Sequence, residues 1–163
     1  MIKIGDTLPD ATLTESTEFG DACPLPPEKL SAKTLAQGKK VVIFGLPGAF
    51  TPTCSGKHVP GYLEHLDALK QKGVDEVWCV SVNDGYVMAA WARDQKAMGK
   101  IRFLGDGSAE LTKKLGLEVD IPGMGVRMKR FSMLVDDGTV KQVNVEEAGK
   151  FDVSHAEAML AQL

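Results

Sequence analysis

Apolar and polar positions fall in blocks along the chain, and each block predicts one element. Val41-Val42-Ile43-Phe44, bounded by Lys39-Lys40 and Gly45, reads as a buried strand over 41–46. Beyond it Val59, Tyr62, Leu63, Leu66 and Leu69 recur at spacings of three and four. That is one apolar stripe of a helix starting at Thr51 and closing at Gly73, with a kink expected at Pro60. Residues 76–82 form a second strand, with Val77, Cys79 and Ser81 on one face and Trp78, Val80 and Val82 on the other. Asp84 is placed to cap a helix from 86 to about 98, ended by Gly99. A short strand over 101–104 and a short helix over 108–115, ended by Gly116, follow; 121–125 reads as a loop. Residues 130–135 and 139–145 are two strands around Asp136-Asp137-Gly138, a strong hairpin signal. Ser154 and Glu157 have capping-box spacing and open a last helix reaching Leu163.

Upstream of the first confident strand the signals are weaker. Thr7-Leu8 and Ala11-Thr12-Leu13-Thr14 suggest short strands, and Cys23-Pro24-Leu25-Pro26-Pro27 is too rich in proline for a helix or a central strand. It reads as an exposed loop. The order of elements predicts an α/β fold: a central mixed β-sheet flanked by helices, one domain over 1–163.

Composition narrows the function classes. The 163 residues are 44% hydrophobic and 25% charged with a net charge of −3, so nothing points to nucleic acid or an anionic membrane. No apolar run approaches membrane-spanning length, and the first residues have no signal-peptide pattern. Three cysteines without paired spacing do not make a disulfide framework. A reducing, cytoplasmic setting is the expectation.

The candidate chemistry sits in Leu46-Pro47-Gly48-Ala49-Phe50-Thr51-Pro52-Thr53-Cys54-Ser55. With Thr51 as N-cap and Pro52 at the first helical position, Cys54 falls in the first turn. Free N–H groups and the positive end of the helix dipole favour an anion there, and the thiolate is the nucleophilic form of cysteine. A small buried hydrophobe is the competing reading of Cys54. Thr51 can also hydrogen-bond something bound to the sulfur, and Pro47-Gly48 can shield it while leaving amides to face a ligand.

Other residues are weighed in the same way. His58 lies four residues after Cys54 and His65 seven further, which raises a Cys/His metal site; Pro60 and the absence of a second cysteine at ligand spacing argue against it. His58 as a base for Cys54 is disfavoured, because a helical side chain one turn on points backwards. Arg127, Lys129 and Arg130 form a basic cluster whose bland reading is a solvated charge group; Glu146-Glu147 and Lys113-Lys114 are read as solvated. Cys79, mid-strand, reads as a core residue, and Cys23 as an exposed thiol with no activating neighbour.

Pro47-x-x-x-Thr51-x-x-Cys54 resembles the active-site motif of the peroxiredoxins. The fuller stretch 44–55 resembles the type II (atypical) branch, as do His58-Val59-Pro60-Gly61-Tyr62, Val80-Ser81-Val82-Asn83-Asp84 and Lys129-Arg130-Phe131-Ser132-Met133. The similarity runs from about Gly5 to Gln162. It implies a thioredoxin-like fold and a thiol peroxidase that needs no metal, flavin or haem. By resemblance Cys54 is the peroxidatic cysteine, Thr51 hydrogen-bonds the peroxide, Pro47 shields the sulfur and Arg130 is the catalytic arginine. Gly48, Thr51, Cys54 and Arg130 then form the site for hydrogen peroxide or an alkyl hydroperoxide.

The resemblance also implies a homodimer, and reduction by glutathione with glutaredoxin or by thioredoxin. Animal members carry a resolving cysteine shortly before the last helix, which 146–155 lacks. Plant members carry a second cysteine at the position of Cys79, so Cys79 stands either as a resolving thiol or as a core residue. Two other readings differ in class. A thioredoxin-like disulfide reductase normally uses Cys-x-x-Cys, and here position 51 is Thr. A redox sensor or chaperone would relay oxidation from Cys54 to a protein partner.

Overall fold

A computed structural model describes residues 1–163. Val41, Val42, Ile43 and Phe44 are wholly buried because β3 (Lys40–Gly45) lies inside a seven-stranded sheet. On one side it pairs in parallel with β4 (Glu76–Ser81), which pairs in parallel with β5 (Arg102–Gly105). On the other side it pairs antiparallel with β8 (Phe131–Asp136), and β8 with β9 (Thr139–Val145). The far edge is built by β1 (Thr12–Glu15) against β5 and by β2 (Glu28–Ser31) against β1, both antiparallel. The fold is the expected mixed sheet flanked by helices.

Alternation along the central strands divides the core into two layers. Val42, Phe44, Val77, Cys79 and Phe103 face one way, and Val41, Ile43, Trp78, Val80 and Leu104 the other. The first layer is covered by α2 (Val59–Glu64), α3 (Leu66–Gln71), α4 (Gly85–Asp94) and α6 (Ala156–Ala161), through Tyr62, Leu69, Trp91 and Met159 among others. The second is covered by α1 (Ala32–Ala36) and α5 (Glu110–Leu115). Cys54 belongs to the first layer.

Several local expectations hold. Asp84 caps α4, its Oδ1 accepting the Val87 N–H at 2.9 Å. Gly116 takes the left-handed conformation after α5. Asp137 and Gly138 both have positive φ, 46° and 81°, as a two-residue hairpin turn of type I′ requires. No helix is long and apolar enough to cross a membrane.

Others are corrected. The helix after Thr51 is not continuous: a π-helical turn, Cys54–His58, precedes α2, and His65 (φ −99°, ψ 10°) separates α2 from α3. The Val59 N–H bonds to the Cys54 carbonyl five residues back. Pro60 has no N–H, and its ring crowds the carbonyl four residues earlier; the wider turn gives it room, so the expected kink takes the form of a π turn. The 121–125 loop is the tip of a hairpin between β6 (Glu118–Ile121) and β7 (Gly125–Met128). α4 ends at Asp94, four residues before the expected end. Finally, α6 is capped by His155, whose Nδ1 accepts the Ala158 N–H at 3.1 Å, and not by Ser154.

Candidate active site

The chain leaves β3 at Gly45, where a Cβ would overlap the Phe131 ring and the Met128 sulfur; only glycine lets β3 and β8 close up there. The loop that follows is tied at three points. The Ala49 N–H donates to Asn83 Oδ1 at 3.0 Å, and the same oxygen accepts from Ser81 Oγ at 2.7 Å. Arg127 donates from Nη1 to the Pro47 carbonyl and from Nε to the Met124 carbonyl, both at 3.2 Å. Thr51 Oγ1 donates to the Gly48 carbonyl at 2.8 Å. At Gly48 a Cβ would stand 2.9 Å from Arg127 Nη1, so a side chain there would push the guanidinium off the Pro47 carbonyl. Thr51 opens the helical segment through its carbonyl, which accepts the Ser55 N–H at 2.9 Å. Its side chain does not cap the helix as the sequence suggested; the hydroxyl turns back into the loop.

Cys54 is wholly buried, and its sulfur receives a hydrogen bond from Arg130 Nη2 at 3.2 Å. Arg130 therefore reaches the thiol from the start of β8, while Arg127 serves the Pro47 loop; sequence spacing alone could not tell the two apart. The other arm of the guanidinium, Nη1, lies 2.9 Å from His58 Nδ1. A guanidinium offers only donors, so Nδ1 accepts and the imidazole proton sits on Nε2. Nε2 faces the Ser154 carbonyl at 3.1 Å, and that carbonyl also accepts from Tyr62 Oη at 3.0 Å. Burial first, and then the Arg130 charge, push the His58 pKa down to about 3, so the ring stays neutral.

Behind His58 stands a carboxylate that the sequence reading treated as solvated. Glu146 is only 7% exposed. It accepts from the Asp152, Val153 and Ser154 N–H groups and from the Ser154 hydroxyl, at 2.7–2.9 Å. These bonds hold Ser154 against His58 and Tyr62. The only sequence signal for this relay was His58 four residues after Cys54, within a block shared with the family. The donors to Glu146 are mostly backbone, which no spacing reveals.

The remaining candidates separate. His65 pairs with Glu157 at 2.8 Å, away from His58, and no three His, Cys, Asp or Glu side chains cluster as metal donors. Cys79 is wholly buried on the sheet face that Cys54 shares; burial, then the neighbouring Cys54, push its thiol far above the ordinary range. Cys23 is exposed.

A thioredoxin-like sheet that presents one buried thiol to an arginine, at the head of a helical segment, defines a class of thiol-based redox enzyme. Comparison with known proteins agrees. Residues 3–160 match the Redoxin family model. The chain is 48% identical over 164 residues to Peroxiredoxin-2B of Arabidopsis thaliana, covering 99% of this chain and 98% of the relative. It superposes with a TM-score of 0.92 on reduced Prx3 from Vibrio vulnificus in complex with H2O2, at 47% identity and 99% coverage of both chains. A Burkholderia cenocepacia protein provisionally described as a thioredoxin reductase is 53% identical, with a TM-score of 0.95, over 100% of this chain and 98% of that one. The chain belongs to the peroxiredoxin family, in its type II branch. It is a thiol-dependent peroxidase, with a peroxide as oxidising substrate and a thiol as reductant.

Proposed function

We propose that Cys54 is the nucleophile of this peroxidase and that Gly48, Thr51 and Arg130 hold the peroxide against it. The observation that carries the reading is the Arg130 Nη2 to Cys54 Sγ contact at 3.2 Å, made to a wholly buried sulfur. The Cys54 thiolate attacks one peroxide oxygen; an S–O bond forms as the O–O bond breaks. The bonding pair leaves on the second oxygen, which takes up a proton to give water or an alcohol, and Cys54 is oxidised to the sulfenic acid. Arg130 stabilises charge spreading over the two oxygens. Thr51, already donating to Gly48, keeps lone pairs to accept the peroxide O–H. Pro47, its carbonyl tied to Arg127, shields the sulfur. Trapping with dimedone after one equivalent of H2O2, read by mass spectrometry, tests this: the adduct belongs on Cys54, and undiminished peroxide consumption by Cys54→Ser would sink the assignment.

Recycling runs through an external thiol, glutathione with glutaredoxin, or thioredoxin. The thiol sulfur attacks the sulfenic sulfur, an S–S bond forms and hydroxide departs as water; a second thiol then releases Cys54. Support comes from the burial of Cys79 and the elevation of its thiol, which keep it protonated. We place the protein as one domain over 1–163, working in the cytoplasm as a homodimer; Phe50 of the Cys54 loop, 54% exposed, is an apolar residue that a partner copy would cover. Intact mass after peroxide distinguishes the routes: a glutathione adduct marks the external one, and loss of two hydrogens an internal disulfide.

A further inference from the structure

A cleft of about 830 Å³ opens beside the thiol, lined in part by Pro47, Thr53 and Arg130. Hydrogen peroxide needs no such space; the volume suits a ligand of many heavy atoms. The charges around it are unevenly matched. Lys57 and half-buried Lys129 line the cleft, and neither pairs with any carboxylate. The acidic residues of the lining are largely occupied. Glu146 is committed to its four donors, and Glu147 is bound to Lys150 at 2.9 Å. Asp152, exposed, is the one acid left over. Phe151, Val119 and Ile121 supply apolar lining. Lys129 is thus the member of the 127–130 basic cluster that neither the loop nor the sulfur uses.

Building on the assignment of Cys54 as nucleophile, we propose that this cleft is a carboxylate-binding site serving Cys54. The ligand's carboxylate lies between Lys57 and Lys129, its apolar body lies on Phe151, and its reactive end extends past Arg130 to the sulfur. The carboxylate belongs either to the thiol reductant or to an organic hydroperoxide.

Paired probes decide. For the thiol, glutathione is compared with its diethyl ester; for the peroxide, a fatty-acid hydroperoxide is compared with its methyl ester. The ratio of charged to esterified rate is measured in the unaltered protein and in the Lys57→Gln/Lys129→Gln double variant. The ratio is expected to fall about fivefold to tenfold in the variant for one pair, which identifies the source of the carboxylate. In the unaltered protein the same ratio falls as salt is raised, because screening weakens the attraction. Ratios unmoved for both pairs, by variant and by salt, overturn the proposal. Failure of the underlying assignment shows differently, as no oxidation of Cys54 by H2O2 in the unaltered protein.

Discussion

Arg130 Nη1 lies 2.9 Å from His58 Nδ1, a nitrogen that accepts because the ring's one proton is held by the Ser154 carbonyl. One arm of the guanidinium is thereby fixed, and the other is left to face Cys54. His58→Leu removes the acceptor and frees the arginine to turn. Peroxide reduction should slow about tenfold, the equivalent of one hydrogen bond to a charged group. His58→Gln restores both an acceptor and a donor and should stay within about threefold of the unaltered rate. Stopped-flow oxidation with H2O2, and alkylation of Cys54 by iodoacetamide at neutral pH, read both variants. Equal rates for Leu and Gln would remove His58 from the positioning of Arg130.

The same histidine sets a pH dependence of stability. Its pKa falls from an unfolded 6.5 to about 3 in the native protein, so the unfolded chain binds the proton first. The contribution is complete above pH 6.5 and is lost as pH falls toward 3. Between pH 6.5 and 5 this group alone should remove about 2 kcal/mol of stability. Urea melts at the two pH values measure it, and the loss should be much smaller in His58→Gln.

Cys79 gives a contrasting test. Its thiol is buried and pushed far up, so it should contribute packing and no chemistry. Cys79→Ala should keep turnover with glutathione and glutaredoxin within about twofold, and lose about 1 kcal/mol of stability for the small cavity left behind. A collapse of turnover would make it the resolving thiol.

Glu146→Ala leaves the Asp152, Val153 and Ser154 N–H groups and the Ser154 hydroxyl without their acceptor. Since Ser154 is wholly buried, a loss of about 3 kcal/mol is expected in denaturant melts. Peroxide reduction should slow along with it, as the Ser154 carbonyl no longer holds His58.

What could be read from the chain was whatever local chemistry determines. Val41–Phe44 announced a buried strand, Asp84 a cap, Asp137-Gly138 a turn, and Cys54 its place at the head of a helical segment. Arg130 lies 76 residues away and meets Cys54 only because β8 pairs with β3, so its role came from family resemblance and not from spacing. Glu146 was misread because an acidic pair near a chain turn is ordinarily solvated, and its partners here are main-chain donors. Ser154 had the spacing of a cap, but its hydroxyl was claimed by Glu146. The hairpin of β6 and β7 was missed because its strands are only four residues each: Glu118-Val119-Asp120-Ile121 alternates but is short, Gly125-Val126-Arg127-Met128 does not alternate clearly, and Pro122-Gly123 between them reads as loop.

The π turn at Cys54–His58 carries a consequence for motion. Its Cys54 carbonyl is held by the Val59 N–H, and the next residue, Pro60, has no N–H with which to continue the ladder. Residue 60 adds no rung to this turn, so the segment bearing the sulfur is held by fewer bonds than a regular helix and can fray while α3 and the sheet keep their own hydrogen bonds. The protein thus joins an arginine held at the entry to β8 to a nucleophile on a detachable first turn. In hydrogen–deuterium exchange the Val59 amide should trade its proton well before those of β3, making it a natural reporter of the moment when an oxidised Cys54 is presented to its reductant.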